Sequence, residues 1–314
     1  AWFAFTMPSA LILFAFAMGA AVFTGPVAEG FLHGLKLVAV AVVAQAIWGM
    51  ARTLTPDRAR AGIALSAVAI VVVFVGSFGQ IAAIAIGACA GLWLCQGEVA
   101  PLSGHLNFPV TRRRGIIALV LFAALLLIPP IVVTATSSQG LALFDAFYRS
   151  GAFVFGGGHV VLPLLQAQVA TPGWVTNEAF LAGYGLAQAV PGPLFTFSAY
   201  LGAVMGAAPS GLAGAAIALV AVFLPGMLLV YGALPFWDAM RTRPSAQAAM
   251  RGSNAAVVGI LGAALYNPVW ISAVLTPRDF ALALAGFLLL TVWKAPPWIV
   301  VALLAGAGVL SSLA

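Results

Sequence analysis

The sequence contains very few charged residues. Asp, Glu, Lys and Arg together make up 6% of its 314 positions, whereas about a quarter of a soluble domain is charged. Hydrophobic residues make up 63%, so the composition excludes a soluble globular protein and indicates an all-α polytopic membrane protein in contact with a lipid bilayer. The 13 basic residues against 7 acidic ones are too dispersed for nucleic-acid binding, so we expect no nucleic-acid partner.

Metal-binding and catalytic residue types are equally scarce. Cys89 and Cys95 are the two cysteines and the three histidines are scattered, so we expect no metal, no redox pair and no cofactor. Both cysteines lie in or at the end of an apolar span, which favours small buried core residues. Paired carboxylates, a nucleophile with a base, and an ATP-binding motif are all absent from the sequence at credible spacings, so we do not expect an enzyme.

Apolar runs of about 17 to 25 residues, long enough to cross a bilayer, recur along the chain, and loop charges orient them. The basic residues cluster in three connections, which the positive-inside rule places in the cytoplasm: the loop with Arg52, Arg58 and Arg60, the run Arg112–Arg114, and Arg241 with Arg243. The connection 23–30, with only Glu29, fits the outside. Following the spans, region 141–210 begins and ends outside, so it must cross an even number of times or enter the membrane and return.

Two helix-breaking motifs interrupt that region, namely Gly156-Gly157-Gly158 and Pro191-Gly192-Pro193. Glycine adds backbone freedom, and proline lacks an N–H and clashes with the preceding turn. Backbone groups freed inside a bilayer must be satisfied by protein or by water. The two motifs therefore predict broken helices or re-entrant hairpins whose ends face a solute.

An internal repeat recurs at offsets of 217, 218 and 221 residues. In that order, Phe5–Leu13 resembles Val222–Val230, Phe31–Gly49 aligns with Ala249–Asn267, and Leu54–Arg58 resembles Leu275–Asp279. The connection after the first segment lies outside and its counterpart, 236–248, lies inside, so the repeats have inverted topology, which is typical of secondary transporters. We assign 1–114 to the remainder of a first membrane repeat and 115–314 to the second. We expect about 70 to 80 residues of the first repeat to precede Ala1 in the natural protein.

Five segments resemble the chromate ion transporter family: FVFGGGHVVLPLL (153–165), WVTNEAFL (174–181), GLAQAVPGPLFTFSAYLG (185–202), AVFLPGMLLV (221–230) and GSNAAVVG (252–259). The resemblance covers nearly the whole chain. It implies a multi-pass carrier of the bacterial inner membrane, with two homologous halves, that exports chromate, a tetrahedral dianion similar to sulfate. This sequence departs from the family pattern because it lacks the first half's copies of the glycine and proline motifs. The oligomeric state, including a homodimer, stays open.

A transported dianion needs hydrogen-bond donors and positive potential, which helix N-termini supply. The candidate substrate-binding residues are the two breaks and the polar or basic residues placed to assist them: Gly156, Gly157, Gly158, His159, Gln188, Pro191, Gly192, Pro193, Thr196, Arg149, Lys36, Arg251 and Asn254. Lys36 and Arg251 bring a basic group near a helix start in each repeat. Charge inside a membrane is costly and indicates function.

Structural interpretations compete with these functional ones. The glycines suit a close helix crossing, the Thr196 hydroxyl can bond back to its own helix, and Lys36 can extend to the interface. Glu178 can couple proton movement or support a helix that starts after Thr176. For the whole chain we favour a secondary transporter that exports chromate, driven by the membrane potential or by proton antiport. A carrier or channel for sulfate or another oxyanion, and a non-transporting membrane scaffold, are the alternatives.

Overall fold

The computed structural model describes residues 2–20, 25–96, 110–155, 158–237 and 243–313, and every regular element within these ranges is a helix. The main helices are α1 (Trp2–Ala20), α2 (Pro26–Leu54), α3 (Arg58–Val73), α4 (Ser77–Leu94), α5 (Arg112–Thr136), α6 (Gln139–Ala152), α7 (Val161–Leu165), α8 (Asn177–Ala187), α9 (Phe197–Val204), α10 (Gly211–Ala233), α11 (Pro244–Ala264), α12 (Pro277–Thr291) and α13 (Pro297–Leu313). By length and composition, six described helical stretches can cross a membrane: Trp2–Gly19, Pro26–Leu54, Ser77–Leu94, Arg112–Thr136, Gly211–Phe236 and Pro244–Ala273. The chain is therefore a polytopic all-α membrane protein, as its composition predicts.

Side-chain caps mark where several helices begin. The Asp57 carboxylate accepts a hydrogen bond from the Arg60 backbone nitrogen at 2.9 Å, and this bond holds the pKa of Asp57 below its ordinary value. The Thr176 hydroxyl accepts from the Ala179 nitrogen at 3.2 Å, which confirms that a helix starts after Thr176. Such caps satisfy N–H groups that have no partner in the first turn of a helix.

The two sequence repeats exchange packing partners: α2 lies against α13 of the second repeat, and α11 lies against α4 of the first. A Cβ on Gly308 would lie 2.8 Å from the Gly34 nitrogen, and a Cβ on Gly87 would lie 2.9 Å from the Gly252 carbonyl oxygen. Gly252 follows Gly34 by 218 residues, and Gly308 follows Gly87 by 221. Because these are the offsets of the sequence repeat, the two close helix contacts are equivalent, and the packing contains the predicted repeat.

The direction of the helices shows that the repeats are inverted. Along α4 and α11, Gly87 lies beside Ala256 and Gly91 lies beside Ala248, so these two helices are antiparallel. Short connections join α2 to α3 and α3 to α4, so α4 runs in the direction of α2. The helix α11, which corresponds to α2 in the second repeat, therefore runs in the opposite direction, as the loop charges predict.

The first re-entrant hairpin joins α6 to a returning helical arm. From Gly158 this arm consists of the 3₁₀ turn Gly158–Val160, then α7, then a π-helical turn over Gln166–Ala170. It ends in a tight turn in which the Trp174 nitrogen donates to the Val169 carbonyl at 3.0 Å. Among the described residues, Gly158 of the glycine motif lies at the tip of this hairpin.

The second hairpin consists of α8 and α9, and its tip is the Pro191-Gly192-Pro193 motif. At its open end the Gly206 nitrogen donates to the Trp174 carbonyl at 3.2 Å, so the start of α8 and the end of α9 lie at the level of the first hairpin's turn. Region 141–210 thus enters the protein twice from the side where it begins and returns each time, which is one of the two arrangements predicted from the sequence.

The two cysteines of α4 and its end differ in burial. Cys95 is buried and Cys89 is exposed, so the prediction of two core residues is right for Cys95 and wrong for Cys89. The sequence does not distinguish the two positions because a small apolar side chain suits both a protein core and a lipid-facing surface.

Candidate functional site

The tips of the two hairpins meet. An ideal Cβ on Gly158 would lie 3.8 Å from the Leu194 Cβ, and Leu194 opens the 3₁₀ turn that leads into α9. Gly156 and Gly157 lie outside the described residues. The two breaks, 35 residues apart in sequence, are therefore in contact, and at each of them a helical segment begins.

Backbone N–H groups are available at the second tip. The first internal hydrogen bond of that helix runs from the Thr196 nitrogen to the Pro193 carbonyl at 2.9 Å. The nitrogens of Leu194 and Phe195 precede it and so have no partner within the helix. Two helix starts that converge add their partial positive charges at one place, which favours an anion.

His159 lies next to Gly158 and joins the first tip to the second hairpin. Its Nδ1 lies 2.7 Å from the Tyr184 hydroxyl of α8, and the Tyr184 side chain is fully buried. His159 also lines a cavity of about 360 Å³ together with Gln45, Gly49 and Thr53 from the second half of α2. The hydrogen bond orients the imidazole, and the cavity gives a solute access to it.

The proline motif packs against α1. Gly192 has a φ of +154°, and a Cβ there would lie 2.8 Å from the Ser9 Cβ, so both its backbone and its surroundings require glycine. Pro191 is exposed and Pro193 is half-buried. The Gln188 side-chain nitrogen donates to the Tyr184 carbonyl in a long bond of 3.4 Å. The side-chain oxygen of Gln188 has no hydrogen-bond partner among the described residues.

The Thr196 hydroxyl is already used. It donates to the Pro193 carbonyl at 2.8 Å, and the neighbouring Ser198 hydroxyl donates to the Phe195 carbonyl at 2.7 Å. In this arrangement the two hydroxyls bond back to backbone carbonyls of the same segment and do not donate to a solute.

Two of the basic candidates have protein partners. Arg149, in the last turn of α6, donates through Nε to the Asp145 carboxylate at 3.1 Å. Arg251, near the start of α11, donates to the Cys95 carbonyl at 3.1 Å and to the Gln247 side chain at 3.3 Å. The described contacts of Arg149 and Arg251 therefore join them to neighbouring protein groups rather than to the hairpin tips.

Lys36 and Asn254 are half-buried, on α2 and α11 respectively. Among the described residues neither side chain forms a hydrogen bond or an ion pair. The structure brings neither residue into contact with Gly158 or Leu194. Their role in substrate binding therefore stays a prediction.

Sequence reasoning missed two side-chain pairs. One is His159 with Tyr184. The other is His33 with Asp279, which links α2 to α12 across the repeats with 2.7 Å between Nε2 and Oδ1. The repeat alignment does draw attention to His33 of the second pair, because it matches this histidine with Arg251, another basic residue. Within the described ranges, no three His, Cys, Asp or Glu side chains come together as a metal site.

Comparison with known proteins agrees with the family resemblance of the motifs. Residues 1–92 and 141–309 match the family described as "Chromate transporter", which includes both hairpins and both repeats. Solved structures contain no match to this chain.

Curated relatives include the "Chromate transport protein" of Pseudomonas aeruginosa, 30% identical over 171 residues that cover 52% of this chain and 39% of that protein. The "Probable chromate transport protein" of Synechococcus elongatus is 30% identical over 149 residues, 46% of this chain and 36% of the relative. The "Chromate transport protein" of Cupriavidus metallidurans is 31% identical over 120 residues, which cover 38% of this chain and 29% of that protein. The chain thus spans about two fifths or less of each of these three relatives.

Proposed function

This chain belongs to the chromate transporter family, and from that premise we propose that it exports chromate or a similar tetrahedral dianion, which binds where the two hairpin tips meet. The family and the apolar helices place the chain in the inner membrane as a multi-pass transport protein. The contact between Gly158 and Leu194 is the observation that carries the site, because it brings two helix starts together inside a transport protein.

The chemistry of the tips suits a doubly charged oxyanion. The unpaired N–H groups of Leu194 and Phe195 donate to its oxygens, and the absence of a side chain at Gly158 leaves the first tip open to it. Arg149, the lysine or arginine nearest to the first tip in sequence among those described, is held by Asp145. A site made of helix dipoles rather than free cations binds a dianion weakly enough to release it, which transport requires.

The membrane potential supplies a driving force in the export direction. Moving one elementary charge across 100 mV is worth about 2.3 kcal/mol. A dianion that leaves an inside-negative compartment therefore gains about 4.6 kcal/mol, which supports a concentration ratio of about 2000 without proton antiport.

Reconstituted vesicles test the driving force. Chromate is placed on the side of the Arg58 loop, and a potassium gradient with valinomycin sets the potential. We expect the initial flux to rise steeply as that side becomes more negative. A flux that responds to neither potential nor pH would contradict the proposed mechanism, and a flux that follows pH alone would indicate proton antiport.

A glycine variant tests the site. At Gly158 an alanine Cβ would make only ordinary contact with Leu194, so Gly158→Val is expected to fold while its branched side chain covers the helix start. We expect at least a tenfold lower chromate flux. Gly206→Ala serves as the control, since its Cβ would meet nothing within 4 Å. Normal flux in folded Gly158→Val protein would exclude the tips as the binding site.

Sulfate transport is the second candidate. Among the described residues, no feature of the hairpin tips would distinguish one tetrahedral dianion from another. Helix N–H groups recognise charge and geometry, which chromate and sulfate share. Competition at equal concentrations separates the two: half-inhibition of chromate flux by equimolar sulfate indicates a general oxyanion carrier, and resistance to excess sulfate indicates a chromate-selective one.

A further inference from the structure

A second cavity lies at the opposite end of the returning arm from the hairpin tips. The cavity beside His159, here called the inner vestibule, lies at the end of α2 that carries Arg52 and is therefore cytoplasmic. The second cavity, of about 520 Å³, is lined by Gln166 near the far end of the arm and by Gly76 in the uncharged turn between α3 and α4. The two cavities thus lie towards opposite membrane faces.

Equivalent positions of the inverted repeats line the two cavities. Gln45, Ala46 and Gly49 of α2 line the inner vestibule. Adding the repeat offset of 218 gives Ala263, Ala264 and Asn267 of α11 and the turn that follows it, and all three line the second cavity. In an inverted-repeat transporter, surfaces related in this way serve the two faces of the membrane in turn.

The second cavity is polar but uncharged. Its lining contains the amide side chains of Gln80, Gln166 and Asn267, and no charged side chain belongs to it among the described residues. The kink at Asn267, where the backbone is non-helical, contributes to its wall, as does the π-helical turn Gln166–Ala170. Such turns occur frequently at functional sites, and neutral amide donors hold an anion more weakly than a cation would.

A thin apolar layer separates the two cavities. His159 and Gln166 are seven residues apart, about 10 Å along the helical arm. Between them Val160 and Leu164 are buried in one cluster with Ile260 of α11, and these three residues are here called the hydrophobic gate. Apolar constrictions of this kind close a pathway by excluding water and ions.

On the basis of the proposed function, we propose that the second cavity is an outer vestibule that receives the dianion from the hairpin tips when the hydrophobic gate opens. The path runs from the inner vestibule past His159, along the returning arm, to the amides of Gln80, Gln166 and Asn267. The inverted repeat makes each vestibule the counterpart of the other, and the short arm between them is the part that moves.

Gln80 holds the gate in its closed position. Its amide nitrogen donates to the Pro163 carbonyl of α7 at 3.0 Å, which ties the arm to α4. Its carbonyl oxygen is buried without a hydrogen-bond partner in the described structure, and an unmet polar group of this kind destabilises the state that contains it. Water that enters when the gate opens can satisfy this oxygen, so the closed state is not strongly favoured.

Accessibility of single cysteines tests the path without relying on chromate flux. Cys89 and Cys95 are replaced by alanine, and Ala46→Cys and Ala263→Cys are introduced separately as reporters of the inner and outer vestibules. A membrane-impermeant thiol reagent is applied to either side of oriented vesicles. We expect Ala46→Cys to react from the Arg58 side and Ala263→Cys from the other side. Reaction of both cysteines from the same side would overturn the assignment of the vestibules.

The gate is tested in the Ala263→Cys protein with Leu164→Ala. We expect labelling from the Arg58 side to rise at least tenfold, because the shortened side chain leaves the layer open. Leu162→Ala is the matched control, since Leu162 lies two residues away and is fully buried in a different cluster. Equal labelling of the two variants would overturn the gate. Val160→Ala, a smaller deletion in the same layer, replaces Leu164→Ala if that protein does not fold.

Sulfate identifies the occupant of the outer vestibule, since chromate itself oxidises thiols. We expect millimolar sulfate on the outer side to slow labelling of Ala263→Cys at least twofold, and an unchanged rate would overturn the vestibule as an anion site. If labelling follows the expected pattern but the protein does not transport chromate, the proposed function is overturned and the proposed pathway still stands.

Discussion

Replacing Gly308 with alanine tests the exchanged packing of the two repeats. A Cβ there would overlap the Gly30 carbonyl oxygen and lie 2.8 Å from the Gly34 nitrogen, whereas ordinary contacts are 3.4–4 Å. Both neighbours are backbone atoms, which cannot rotate away as a side chain can. The helix α13 must therefore move about 1 Å away from α2 along much of their contact.

The expected loss of stability follows from that displacement. A gap of about 0.5–1 Å forfeits a quarter to a half of the attraction between the atoms that face it, and overpacked interiors typically lose about 1–3 kcal/mol. We expect Gly308→Ala to lower the free energy of unfolding by about 2 kcal/mol. Gly306 is two residues away on the same helix, and a Cβ there would meet nothing within 4 Å, so Gly306→Ala should be neutral or slightly stabilising.

The free energy of unfolding is measured by titrating micelles of each variant with sodium dodecyl sulfate and following tryptophan fluorescence. Gly87→Ala, at the equivalent position of the first repeat, should lose a similar amount. If Gly308→Ala were as stable as Gly306→Ala, the close contact of α2 with α13 would be wrong, and the equivalence of the two helix contacts would fail with it.

Three further experiments test the polar groups. A double-mutant cycle of His33→Ala and Asp279→Ala should give a coupling of about 0.5–3 kcal/mol in the free energy of unfolding, and additive losses would show that the bond between α2 and α12 is not formed. Arg149→Gln should destabilise the protein by about 1–3 kcal/mol and reduce flux. Adding Asp145→Asn should restore both stability and flux. A double mutant that folds but shows no flux would indicate that Arg149 binds substrate. Glu178→Gln should leave the pH dependence of flux unchanged to within about twofold, because Glu178 is exposed at the start of α8, and a shifted pH profile would give that carboxylate a role in proton coupling.

Local sequence signals predicted the helix breaks of the candidate site well. Glycine and proline break helices wherever they occur together, so the tips at Gly158 and Pro191 could be located without coordinates. Loop charge then required region 141–210 to return to the side it came from. The contact between Gly158 and Leu194 could not be predicted, because the way two hairpins dock depends on packing that no local pattern records.

Side-chain partners were much harder to predict. His159 bonds Tyr184 across 25 residues, and His33 bonds Asp279 across 246. A histidine in an apolar span has the same sequence signature whether it faces a cavity, a tyrosine or a carboxylate. Repeats supply long-range information that single motifs do not, and the offset of 218 residues was sufficient to pair Gly34 with Gly252.

The exchange of partners between α2 and α13 has a consequence for how the protein is made. Roughly 240 residues separate the end of α2 from the start of α13, and ribosomes add about 5–20 residues per second. The face of α2 that carries Gly30 and Gly34 therefore enters the membrane about 12–50 s before its partner exists. During that interval Gly30 and Gly34 face lipid and other nascent helices instead of α13. The yield in cells should therefore depend on an insertase or chaperone that shields this face of α2 until translation ends.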